Sequence, residues 1–231
     1  MIQEIKTTHK SGIIYPESDG KPMADNTLQF RWIVKIKENL EILFANVADV
    51  FIAGDLLWYP VEGNNTITAA PDAMVVFGRP KGDRRSYLQW REDNIAPQVV
   101  FEVLSHSNTQ KEMAKKLEFY RKYGVEEYYL IDPNKIELCG WLRYDDDLIV
   151  IDNIENWVSP QLNIRFELTA NKLEIYYPDG KRFLTPVELA QKAEEAEQQL
   201  TQERQRVEEA EARIMLLEER LRAAGIDPEQ L

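Results

Sequence analysis

The 231-residue chain predicts an α/β fold, a mixed sheet flanked by helices, with one long helix appended at the C-terminal end. Two observations carry this. Short runs rich in Val, Ile, Phe and Tyr alternate with stretches of helical periodicity, and a strand–helix–strand succession near the middle implies a parallel pair joined by a crossover. Beyond Thr185 the apolar spacing changes to a heptad. With 44% hydrophobic and 29% charged residues, the composition suits one globular domain plus an appendage.

The elements follow in order. Residues 1–24, with Pro16, Gly20 and Pro22 and few periodic apolar positions, predict an irregular lead-in. A helix begins near Asn26 and runs to about Ala45, its apolar stripe formed by Phe30, Ile33, Ile36, Leu40, Leu43 and Phe44. Val50–Tyr59, Met74–Phe77 and Val99–Leu104 read as three strands. A helix over Thr109–Tyr123 stops at Gly124, and Glu127–Pro133 returns as a strand. Further strands are expected at Glu137–Trp141, Leu148–Ile151, Ile164–Leu168 and Leu173–Tyr177, extending the same domain.

Thr185-Pro186-Val187-Glu188 combines an N-cap, a proline in the first turn and a capping acid, and Gly225 and Pro228 supply the stop. Between them an apolar seam from Leu189 to Ala224 alternates spacings of four and three, broken by Glu203. Such a helix does not stand alone, so self-association as a coiled coil through residues 186–224 is the leading expectation, with the Ala-rich first half the weaker. The predicted organisation is a lead-in over 1–24, a folded domain over 25–182, a coiled-coil helix over 185–225 and a tail over 226–231.

Composition narrows the function classes. No apolar run spans a bilayer and the first residues lack a signal-peptide core, so a soluble cytoplasmic protein with no membrane contact is expected. A single cysteine and two histidines rule out a disulfide framework and zinc-finger spacing; any metal would be hard and oxygen-bound. The net charge of −12 opposes a generally basic nucleic-acid surface. Two cationic segments, Arg79–Arg85 and Lys111–Lys122, form a local rim if they meet in space.

One position demands a partner. Glu102 lies among Val, Phe and Leu in an interior strand, where an uncompensated carboxylate costs several kcal/mol. Asp72, after Pro71 at the start of another apolar strand, would face Glu102 if its strand ran antiparallel, and Lys116 on the following helix can lean toward it. Two acids and a lysine permit metal-assisted hydrolysis or, equally, a structural ion pair. Asp55 is a further candidate, read first as a satisfied structural acid. Ser105 and Ser107 read as caps of the helix or its approach, His106 as a loop residue, and Trp58, Tyr59, Trp90 and Trp141 as core before base-stacking groups.

Pro71-Asp72, then Glu102-Val103-Leu104-Ser105, Lys116-Leu117-Glu118-Phe119-Tyr120 and Gly124–Pro133 together resemble the Uma-type family of restriction endonucleases, within the PD-(D/E)XK nuclease superfamily. The resemblance spans roughly residues 25–180 and is most specific from Glu102 to Pro133. It implies a restriction endonuclease-like core and a Mg²⁺ (or Mn²⁺) site cleaving phosphodiester bonds in DNA. On that pattern Asp72, Glu102 and the main-chain carbonyl of Val103 hold the metal, while Lys116 orients the attacking water and steadies developing negative charge. Where the superfamily has its lysine, two residues after the glutamate, this chain has Leu104, and Lys116 takes the role. The alternative is a non-catalytic interaction protein that keeps the fold and assembles through its coiled coil.

Overall fold

A computed structural model describes residues 12–20 and 22–223. Six strands make the main sheet in the order β1-β3-β5-β6-β7-β8. These are β1 (Val50–Ala53), β3 (Ala73–Phe77), β5 (Val99–Val103), β6 (Glu127–Asp132), β7 (Glu137–Tyr144) and β8 (Asp147–Val150). Only β5 and β6 run parallel within it, as the crossover through α2 (Gln110–Lys122) requires; the remaining neighbours are antiparallel.

Strand alternation gives the sheet two apolar faces. Val50, Ile52, Val75, Val99 and Phe101 pack against Ile33, Ile36 and Leu40 of α1 (Thr27–Leu43), while Phe51, Met74, Val76 and Val100 pack toward Tyr120 of α2. Asn26 caps α1, its Oδ1 accepting the Gln29 N–H at 2.9 Å. Phe30, counted in the apolar stripe, is half exposed, because the buried face runs from Gln29 through Ile33 to Leu40.

The expected strand Val50–Tyr59 breaks in two. After Ala53 the chain turns at Gly54–Asp55, where Asp55 takes φ 50° and its N–H bonds the Pro71 carbonyl at 3.0 Å. Trp58–Tyr59 (β2) then pairs in parallel with Tyr87–Leu88 (β4), a strand that the sequence pattern did not reveal. Arg165–Thr169 (β9) and Lys172–Tyr176 (β10) lie in the same domain, as expected, and pair with each other as a separate hairpin. Thr109, not Ser105 or Ser107, caps α2. Gly124, at φ 91°, follows the helix C-cap.

The described residues up to Thr185 form one compact unit; α3 (Pro186–Ala223) belongs to a second and has no buried residue. The predicted lead-in residues 1–11 and Lys21, and the Ala224 seam position with the Gly225–Pro228 stop and the terminal tail, lie outside the described residues. Among the described residues, no helix is long and apolar enough to cross a membrane.

Glu127 ties the loop before β9 to the sheet. Fully buried, it accepts hydrogen bonds from the Tyr129 hydroxyl at 2.7 Å, Ser159 Oγ at 2.5 Å and the Gln161 N–H at 2.7 Å. Burial pushes its carboxyl above the ordinary glutamate range, outweighing those donors. The unfolded chain therefore ionises first as pH rises, and stability from this group is lost through the window between the ordinary value and the raised one. Glu127→Gln turns an N–H against a buried donor; urea unfolding is expected to show a loss of about 1–3 kcal/mol and a shallower pH slope in that window.

Candidate active site

The antiparallel register of β3 on β5 pairs Ala73 with Phe101, which sets Asp72 opposite Glu102, one residue beyond. Both share the parity of Met74 and Val100, and so lie on the α2 side of the sheet. Glu102 is 2% exposed and Asp72 9%. From α2, Lys116 Nζ reaches Glu102 Oε2 at 2.7 Å, and the Tyr120 hydroxyl, one turn later, donates to Glu102 Oε1. Asp72 Oδ2 accepts the Val103 N–H at 2.7 Å. The structure thus brings Asp72, Glu102, Val103 and Lys116 together.

Helix α1 enters the same site through a residue that the sequence reading missed. Gln29 Nε2 donates to the Val103 carbonyl at 2.8 Å, while its Oε1 accepts the Asp25 N–H at 2.8 Å. One lone pair of the carbonyl expected to face a metal is therefore engaged by Gln29. Its buried place beside a helix cap was no signal in sequence, since exposed glutamines in first turns are common. Tyr120 stood in the sequence as part of the Lys116–Tyr120 segment, without its hydroxyl contact being legible. Asp55 lines the same cavity, in the left-handed backbone region.

The cavity is about 600 Å³ and includes Asp55, Asp72, Gln29, Lys115, Lys116 and Phe119 in its lining. A second cavity of about 600 Å³ lies between α2 and the sheet, floored by Tyr128, Leu130 and Trp141, and has no carboxylate pair. Ser105 and Ser107 hydroxyls both donate to Asp25, and His106 sits in an exposed loop. Trp58 and Tyr59 are core residues; Trp90 and Trp141 are partly buried against it.

The expected cationic rim does not assemble. Arg79 and Arg84 both pair with Glu92, Arg85 pairs with Glu17, and Lys81 donates to the carbonyls of Phe44 and Ala45. Of the α2 cations, Arg121 is engaged by Glu118, and only Lys115 and Lys116 line the cavity. For Arg79 and Arg84 the acid near in sequence, Glu92, takes the charge first.

Charge at the site is unbalanced. Burial, then the neighbouring Glu102 carboxylate, holds Asp72 well above the usual aspartate range, against the opposing pull of Lys116 and the Val103 N–H. Burial acts to lower the Lys116 ammonium, but Glu102 and Asp72 outweigh it and keep it protonated. Two carboxylates thus share one cation. Among the described residues no group of three or more His, Cys, Asp or Glu side chains is gathered to hold a metal. The donor set still fits Mg²⁺, which binds through one or two carboxylates and retains water.

A family model described as "Uma2: Putative restriction endonuclease" matches residues 12–171. The chain belongs to this family. The matched region contains the whole Asp72–Glu102–Lys116 constellation and ends before α3. Among matching solved structures is one titled as a "putative nuclease belonging to DUF820" from Anabaena variabilis ATCC 29413. It is 17% identical with a TM-score of 0.45, over 61% of this chain and 74% of that one. No curated relative matches the chain.

The imbalance makes stability respond unequally to the two acids' neighbourhood. Asp72→Asn keeps an oxygen for the Val103 N–H and removes the like charge, so urea unfolding without added metal is expected to show a gain of about 1 kcal/mol. Lys116→Met strands the Glu102 charge and is expected to lose about 2 kcal/mol, less than for fully buried pairs because Lys116 keeps solvent contact.

Proposed function

We propose that this chain is a cytoplasmic, metal-dependent endonuclease that hydrolyses phosphodiester bonds in DNA. The observation that carries the reading is the facing of Asp72 and buried Glu102 on one side of the sheet, with Lys116 against Glu102, where Asp72 and Lys116 line a cavity. This arrangement suits the PD-(D/E)XK type of site, and membership of a family described by restriction endonuclease activity supports the substrate class.

Asp72, Glu102 and the Val103 carbonyl would hold a Mg²⁺ or Mn²⁺ ion. Bound there, the ion supplies neutralisation of the phosphate and acidification of water. Lys116, kept protonated, acts as a hydrogen-bond donor and not as a base: it orients the water and steadies charge developing on the phosphate oxygens. Tyr120 fixes the other Glu102 oxygen and Gln29 fixes the Val103 peptide, so these two residues would present their oxygens to the ion already braced by a further side chain. Against a chain charge of −12, Lys115 and Lys116 supply local attraction for a phosphodiester.

Residues 25–182 would form the nuclease domain and residues 186–224 a homo-oligomer contact. Leu200, Val207, Ile214 and Leu217 along α3 are each about half exposed, which supports a seam awaiting another helix. Paired active sites are a natural way to cut both strands of a duplex.

Plasmid and single-stranded DNA incubated with Mn²⁺ are expected to be nicked, with EDTA or Glu102→Ala abolishing cleavage. Absence of cleavage together with absence of Mn²⁺ binding by calorimetry would sink the enzyme and favour a scaffold, in which Glu102, Lys116 and Tyr120 form a closed structural set. Because Asp72 holds its proton above the usual range, Mn²⁺ affinity and cleavage are expected to fall on acidification at a higher pH than an ordinary aspartate would give. Deleting residues 186–231 is expected to lower the mass seen by light scattering; an unchanged mass defeats the assembly role.

A further inference from the structure

The α3 seam fixes a heptad register. The a positions carry Ala193, Leu200, Val207, Ile214 and Leu221 and the d positions Leu189, Ala196, Glu203, Ala210 and Leu217; in the bulkiest stretch, β-branched Val207 and Ile214 at a with Leu217 at d favour two strands. The flanks of that seam are sorted by charge. The g positions carry Lys192, Gln199, Arg206, Arg213 and Arg220. The e positions that follow carry Glu197, Arg204, Glu211 and Glu218.

We propose that α3 binds α3 of a second copy of this chain as a parallel, in-register two-stranded coiled coil. The proposal rests on the self-association put forward above and adds the number of strands, their direction and their register.

In a parallel pair each g residue meets the e residue five positions on in the partner helix. Lys192 then meets Glu197, Arg206 meets Glu211 and Arg213 meets Glu218, each pair occurring twice by symmetry. Gln199 opposite Arg204 is uncharged on one side. In an antiparallel pair g meets g and e meets e, which sets the basic g residues against one another and, Arg204 apart, glutamate against glutamate. Within its own helix Arg206 contacts Glu203 at 3.5 Å and Glu218 contacts Arg222 at 3.2 Å, exposed pairs that can be exchanged at little cost. The attractive pairs concentrate beside Val207, Ile214 and Leu217, where the seam is bulkiest.

Direction matters for the rest of the molecule through chain continuity. Each N-terminal unit is joined to α3 at Pro186, so parallel pairing puts both attachment points at one end of the helix pair. Antiparallel pairing would hold them about 57 Å apart, at 1.5 Å per residue over the 38 residues of α3.

The test uses the full chain with Cys139→Ser, which removes the exposed native thiol. Adding Ala193→Cys is expected to give a disulfide-linked dimer on mild oxidation, since an in-register a position meets its own copy. No cross-link from a species that light scattering shows to be dimeric overturns the parallel arrangement. A mass of three or four chains overturns the two strands, and a monomer at all concentrations overturns the self-association beneath both. Charge exchange gives an independent arm at low salt. Arg206→Glu with Arg213→Glu, or Glu211→Arg with Glu218→Arg, is each expected to weaken the dimer at least about tenfold, and mixing the two proteins to restore it. If the first double variant dimerises as the parent does and prefers the parent as partner, the helices are antiparallel.

Discussion

A carboxylate on the inner face of β5 constrains everything around it. Glu102 is surrounded by the aromatic and aliphatic packing of the α2 side of the sheet, and its charge is tolerable only where a cation and a hydroxyl reach it from above. Lys116 and Tyr120, one helical turn apart, do this from a single element. The placement of α2 over β3 and β5 is therefore set by electrostatics as well as by apolar area. The crossover that carries α2 in turn forces β5 and β6 into the sheet's parallel pair. The polar contact and the topology support one another.

The same arrangement leaves a residual cost. Opposing Asp72 to Glu102 sets two carboxyl groups against one cation, and burial beside Glu102 makes ionising the aspartate costly, which is why it is raised. A sheet built for stability alone would place an apolar or neutral residue at one of these positions. The proposed metal would supply the further positive charge that such a pair calls for. Around it, hydrogen bonds from Gln29 to the Val103 carbonyl and from the Val103 N–H to Asp72 hold one peptide between α1 and the carboxylate pair. Three elements, α1, β3 and β5, are locked at this single peptide, which explains how a site at strand ends can be stiff.

The C-terminal helix follows a different logic. Its 38 residues bury nothing of their own, so its sequence is free to encode contacts with another chain through shape along the seam and charge beside it. That separation lets the catalytic reading and the assembly reading stand or fall independently.

The sequence by itself determined the elements with strong local signals. The Asn26 cap, the Gly124 stop, the β5–α2–β6 crossover and the start of the helix α3 at Pro186 depend on neighbours within a few residues, and each is where the pattern puts it. Glu102 was also legible, because an acid in an apolar strand is anomalous in one dimension. Tertiary structure alone decided the remainder. The break at Gly54–Asp55, the short β2–β4 pair and the separate β9–β10 hairpin depend on partners tens of residues away. The loop arginines turned to Glu92 instead of the cavity because a nearby acid completes an ion pair without bringing distant segments together. Gln29 joined the site across 74 residues of chain. Backbone propensity and apolar periodicity are local quantities written along the chain, whereas the partner of a polar group is fixed only once folding has chosen which surfaces meet.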